Sequence, residues 1–343
     1  MKPFAIFLFV FSVIFSLANQ QAMQKYEIEA FPITKSITFD PYFRTDYGDR
    51  IEAEQPDIMM VGDSAIRELD EAVFSKEIGL KTMIFSFPGS ASAKWYLFLR
   101  NSVLPADPPP AFALIFFRST VLTSPQFLVH GSYLVRIEEV AKPEDEDVYQ
   151  IAIARSRSPL VNWLEQYLPI FAYRSEIYFN WVESIRNYLP GLLKDCDSAC
   201  VADAFDLVFD DSHINALLWE DQLLNLDQVL YTDEALDFEA RVGESLLPMM
   251  IADLKARGIQ PVFVRTSFRT HTEGQPDDAE VAAYLAQLEG YIEEQGGMFI
   301  DLAGLPGLRP DMYRDNLHFS DEAAREATVI IAEHLRNQLF INN

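Results

Sequence analysis

Five short apolar runs, most of them followed by a helix-length stretch, predict a three-layer α/β/α sandwich with a mainly parallel five-stranded sheet. Three observations carry that class. The runs 58–61, 80–87, 112–117, 260–265 and 298–302 show little polar alternation, as strands buried on both faces do. Helical spacing between them implies parallel crossovers. Small or turn-forming residues, Gly62-Asp63-Ser64 and Pro88-Gly89-Ser90, stand where the first two runs end.

Taken in order, the chain opens with Lys2 and sixteen uncharged residues, PFAIFLFVFSVIFSLA. That is long for a signal h-region and short for a spanning helix of about 20 residues. Residues 1–23 therefore read as a signal peptide or an N-terminal membrane anchor, with Ser16 and Ala18 suited to a cleavage site before Asn19. Either reading makes the protein exported, periplasmic or extracellular. Residues 24–56, polar and broken by Pro32, Pro41 and Pro56, read as a lead-in. The domain proper spans 57–340.

The strand 58–61 runs into a helix at about 65–74. The strand 80–87 is followed by helical spacing over 91–103 (Trp95, Leu97, Phe98), and 112–117 ends at Arg118-Ser119-Thr120. Residues 119–230 break the alternation with acidic loops and aromatic helical patterns around Trp163–Tyr173 and Tyr178–Leu189, and read as a helical insertion. Thr232 N-caps a helix to Arg257, stopped by Gly258. A helix over 277–294 separates the last two strands, and Ser320 caps a final helix to about Leu339.

Charge narrows the function class. Of 343 residues, 52 are acidic and 27 basic, for a net charge of −25. Such a surface disfavours nucleic acid, whose phosphates need cations, and anionic membrane faces. The two cysteines, Cys196 and Cys200, suit a small local disulfide in an exported protein, or two buried thiols. No HExxH, GxGxxG or P-loop is present, and the histidines lack ligand spacing, so no metal and no cofactor is expected.

The chemistry concentrates in two stretches. Ser64 sits at the carboxyl end of the first strand, where open α/β sheets bind ligands. Asp315-Asn-Leu-His318 follows the fifth strand, so it returns to the same edge. The three-residue spacing lets the Asp315 carboxylate meet Nδ1 of His318 while Nε2 faces outward, supplying the orienter and base a serine nucleophile needs.

These residues resemble the SGNH (GDSL-type) hydrolases and esterases: Gly62-Asp63-Ser64 after the first strand, Gly89 after the second, Asp315-x-x-His318 before the last helix. The likeness covers about 57–118 and 232–340. It implies a flavodoxin-like fold, a Ser64–His318–Asp315 triad, and an oxyanion hole from the N–H groups of Ser64 and Gly89. The family's third oxyanion donor, an Asn after the third strand, is here Arg118. Arg118 replaces that donor with a charged one, holds an anionic group of the substrate, or is an ordinary surface arginine at a strand end. Arg67 and Arg265 are further candidates for binding an acidic substrate, unless they pair with the abundant carboxylates; Arg269 and His271 lie close to Arg265.

The expected activity is that of a serine esterase or O-acyl (acetyl) transferase acting on a cell-surface or extracellular polysaccharide. A membrane-bound O-acyltransferase is the partner the resemblance implies. The alternatives are a non-catalytic glycan-binding or scaffold module, and a lipid-active esterase with the insertion as its lid.

Overall fold

The computed structural model describes residues 2–25, 39–129, 132–156, 159–174, 177 and 228–340. Five parallel strands form one sheet in the order β2-β1-β3-β4-β5. They are β1 (Ile58–Gly62), β2 (Thr82–Ser86), β3 (Phe112–Phe117), β4 (Gln260–Arg265) and β5 (Met298–Asp301). This is the doubly wound order of flavodoxin-like sheets, whose switch point lies between β1 and β3. Each strand falls within two residues of its expected bounds.

Two apolar faces explain why the runs lack alternation. On one face Ile58, Met60, Leu114, Phe116, Val262, Val264 and Ile300 form a continuous core. Helices α3 (Glu71–Ile78) and α8 (Ala324–Phe340) cover it, through Phe74, Ile78, Ile331 and Leu335. On the other face lie Met59, Val61, Phe85, Ala113, Ile115 and Phe263, all buried. There Phe98 of α4 (Ser92–Phe98) packs on Phe85 with ring centroids 4.7 Å apart, and Tyr96 donates to Asp253 of α6 (Leu247–Ala256) at 2.7 Å. Helix α7 (Ala279–Glu294) packs beside β5. These helices complete the three layers.

Several local expectations shift. The lead-in contributes helix α2 (Asp46–Glu54), whose Tyr47 meets Phe85, Phe87 and Phe98 edge-on and whose Ile51 is buried. The helix expected at 65–74 is a single 3-10 turn, Ser64–Ile66, followed by α3. Asp70 starts α3 by accepting from the N–H groups of Ala72 and Val73 at 3.0 Å. The helix at 91–103 is α4 continued by one wider π turn, Leu99–Val103. The helix expected over 232–257 is three: Asp233–Leu236, Phe238–Val242 and α6. Asp237 restarts the second by accepting from Ala240 N–H, and Pro248 sits in the first turn of α6.

The described residues fall into two compact units. One contains 41–156 and 228–340, so the first part of the expected insertion, including α5 (Ser132–Glu138), belongs with the sheet. The other contains α1 (Lys2–Lys25) and the short helices Pro159–Tyr167 and Pro169–Ala172. Within it, Asn19 Oδ1 accepts from Ile170 N–H at 3.2 Å. Residues Ile6–Lys25 of α1 are long and apolar enough to cross a membrane. Cys196, Cys200, His130, His213 and the pattern at 178–189 lie outside the described residues.

Candidate active site

Construction of the site begins with a close approach. A Cβ at Gly62 would lie 3.0 Å from Phe116 Cβ and 3.1 Å from its carbonyl oxygen, so β1 can end against β3 only with glycine there. Asp63 leaves the strand extended, and its Oδ1 accepts from Ala65 N–H at 2.9 Å, closing the 3-10 turn that begins with Ser64. Ser86 donates to the Asp63 carbonyl at 2.9 Å, which fixes the turn to β2. Ser64 is half-buried at the head of this turn.

The second stretch is a loop closed on itself. Tyr313 and Phe319 form an antiparallel bridge, Arg314 N–H donates to His318 O at 3.0 Å, and Ser320 N–H to Met312 O at 2.8 Å. Inside it Asp315 Oδ1 accepts from Leu317 and His318 N–H, each at 2.8 Å, while Oδ2 meets His318 Nδ1 at 2.8 Å. His318 Nε2 lies 2.8 Å from Ser64 Oγ. Residues 254 positions apart are thus joined in one hydrogen-bonded chain.

Electrostatics orient that chain. Partial burial works to raise the Asp315 carboxyl, but the backbone N–H groups of His318 and Leu317 and the imidazole outweigh it and hold it below its ordinary 3.8. An ionised carboxylate only accepts, so Nδ1 carries the proton and Nε2 accepts from the Ser64 hydroxyl. A serine with a hydrogen-bonded base, and that base with an orienting acid, is the connectivity required for nucleophilic attack.

Gly89 follows β2, next to β1 in the sheet, with φ +65°. A Cβ there would sit 2.9 Å from Arg136 Nη1 and 3.2 Å from Tyr133 Cε1, and the positive φ favours glycine. Among the described residues, neither the Ser64 nor the Gly89 N–H has a hydrogen-bond partner.

The arginines are engaged with carboxylates. Arg118, 9% exposed, donates from Nε to Asp63 Oδ2 at 3.0 Å, so that nitrogen braces the residue before Ser64. Arg265, 3% exposed, is clamped between Asp301 (2.9 Å) and Asp277, with His271 Nε2 3.3 Å from the same Asp277 oxygen. Arg67 donates from Nε and Nη2 to Glu68 Oε1, at 3.1 and 2.7 Å. Arg269 lies 3.3 Å from Glu273. Arg67, Arg265 and Arg269 thus each pair with a carboxylate.

Two supports were not legible beforehand. The Asp63–Arg118 pair spans 55 positions, and nothing local announces it. Glu68 is the other: its side chain is 6% exposed and Oε1 also takes Arg314 Nη2 at 3.0 Å, tying the Ser64 segment to the Asp315 loop. The neighbouring Arg67 and Arg314, each beside one half of the site, were the available signal.

No protein-family model matches the chain, and no curated protein does. Among solved structures, the chain is similar to a candidate acylhydrolase from Bacteroides fragilis, at 13% identity over 85% of this chain and 94% of that one, with a TM-score of 0.37. A superposition that loose carries no argument about activity. The reading of the site therefore stands on its own geometry.

Proposed function

We propose that the protein is an SGNH-type serine esterase or O-acyltransferase that works through an acyl-Ser64 intermediate. The unbroken Ser64–His318–Asp315 chain, with both heavy-atom distances at 2.8 Å, is the observation that carries this reading. His318 Nε2 takes the Ser64 proton as Oγ bonds to the ester carbonyl carbon. The carbonyl oxygen becomes an oxyanion, held by the N–H groups of Ser64 and Gly89. As the C–O bond to the alcohol breaks, His318 returns the proton to the departing oxygen. Water or an acceptor hydroxyl then adds by the reverse sequence, releasing acid or a new ester and restoring Ser64.

Arg118 serves this site through Asp63, keeping the nucleophile's turn in place. The substrate is an ester of a cell-surface or extracellular polysaccharide, in keeping with export by or tethering through α1. A membrane-bound O-acyltransferase is the matching partner if transfer rather than hydrolysis is the outcome. Labelling with a serine-reactive fluorophosphonate tests the reading. Wild type is expected to label and Ser64→Ala not to. Equal labelling of both, or none of either, would reject it.

A further inference from the structure

The exit of β3 holds a cavity that the triad does not use. It is an open cleft of about 530 Å³ walled by Phe127, Val129, Tyr133, Val229, Leu230 and Ala235, with the charged Glu234 and Arg241 also lining it. Small-molecule sites commonly fall in the range of roughly 300–1,000 Å³ and are lined mostly by apolar side chains. One wall is pinned to the strand exit: Thr120 Oγ1 donates to Leu230 O at 2.8 Å, and Ser119 Oγ hydrogen-bonds the Tyr231 hydroxyl.

Two of the bounding rings reach the nucleophile's surroundings. The Tyr133 ring lies so close to Gly89 that a Cβ there would be 3.2 Å from it. Phe127 lies 6.0 Å from the Arg118 guanidinium, whose Nε holds Asp63 beside Ser64. Two walls of the cavity therefore neighbour Gly89 and Arg118, the residues beside the Ser64 turn.

The residues flanking His318 and those supporting the cavity pack into different layers. Leu317 and Phe319, flanking His318, pack with Ala65 and Ile66 on the face covered by α3 and α8. The cavity's support belongs to the α7 side. Thr123, next to its Ser124, bonds the Tyr284 hydroxyl of α7 at 2.7 Å, and Phe238 packs on Tyr284 at 5.8 Å.

That separation selects one half of an ester. His318 must return its proton to the departing alcohol oxygen, so the alcohol lies on the imidazole's side. The acyl group then points away from it, past Gly89. We infer that this cavity is the acyl-chain pocket and that the enzyme favours apolar acyl groups longer than acetyl. The inference rests on Ser64 being the nucleophile, and the pocket is built from residues of the β3 exit and of the segment before Phe238.

Chain-length dependence of kcat/KM tests it. Each buried methylene is worth about fourfold, equivalent to about 0.8 kcal/mol. Soluble p-nitrophenyl hexanoate should therefore be preferred over the acetate by up to about 10²-fold. Ala235→Phe should cut that ratio at least about tenfold by filling the pocket. Val229→Trp, at a position 54% exposed and so tolerant of a large side chain, should do the same. A wild-type ratio near one, or a ratio unmoved by both variants, overturns the pocket while fluorophosphonate labelling of Ser64 leaves the nucleophile standing. Absence of that labelling overturns both.

Discussion

Arg118 and Arg265 stand at neighbouring positions on the carboxyl edge of the sheet, yet they serve different carboxylates. Phe117, just before Arg118, is the register partner of Arg265. Both side chains are nearly buried, and both invite the reading of a cation waiting for substrate. Arg265 instead joins β5, through Asp301, to the segment entering α7, through Asp277. Arg118 meets Asp63, the residue that shapes the Ser64 turn. A buried arginine takes its role from the carboxylate it reaches: Arg265 joins β5 to the entry of α7, and Arg118 holds the turn that carries Ser64.

The hydrogen-bonded Ser64–His318–Asp315 chain, if it is the proposed triad, gives the largest expected effect. Asp315→Asn should lower kcat about 10⁴-fold by releasing the imidazole tautomer, with the urea midpoint little changed. Steady-state hydrolysis of an activated ester beside a urea titration would show it. A small loss of kcat would mean that Asp315 does not orient His318.

Arg265→Met comes next, and its effect should fall on stability. It leaves Asp277 and Asp301, both partly exposed, without the cation they share, a loss of about 1.5–3 kcal/mol. The folded fraction should keep its kcat/KM. Lost activity at unchanged stability would return Arg265 to the substrate site.

Arg118→Met should do the opposite, costing about 10² in kcat through a misplaced Ser64 turn. The contrast becomes sharper in a cycle with Asp63→Asn. If Arg118 acts through Asp63, the double variant is no worse than the poorer single one. Additive losses would make Arg118 an oxyanion donor in its own right, where one donor is worth about 10²–10³.

The smallest effect is in acid. Burial works to raise Asp277, but Arg265 and His271 outweigh it, so its carboxyl sits below the ordinary 3.8, as that of Asp315 does. A lowered folded-state value means that the ionised group stabilises the fold above the unfolded value. That contribution is lost as pH falls through the folded one. Thermal midpoints should therefore drop below about pH 4, and less steeply in Arg265→Met, where Asp277 has lost its main partner. An unchanged slope would remove Asp277 from the account.

The five strands were legible because burial on both faces leaves uninterrupted apolar runs, a pattern that needs no partner to be read. Asp315 and His318 were legible because their partnership is local, three residues apart. Helix boundaries were less so where side chains cap competing turns. Asp63 closes a 3-10 turn and Asp70 starts α3, so the helix read directly after Ser64 begins seven residues later. The arginine partners were hidden because charge pairing spans 55 positions for Arg118 and 36 for Arg265 with Asp301. Composition reports that carboxylates abound, but not which one folds back.

Ser64 is the residue proposed to carry the acyl group. Peptide mass mapping after rapid quenching of the full chain with p-nitrophenyl hexanoate tests it most directly. A hexanoyl group is expected on the peptide containing Ser64, absent in Ser64→Ala and accumulating more slowly in Asp315→Asn. An acyl group on another residue, or hydrolysis by Ser64→Ala at the wild-type rate, would contradict it.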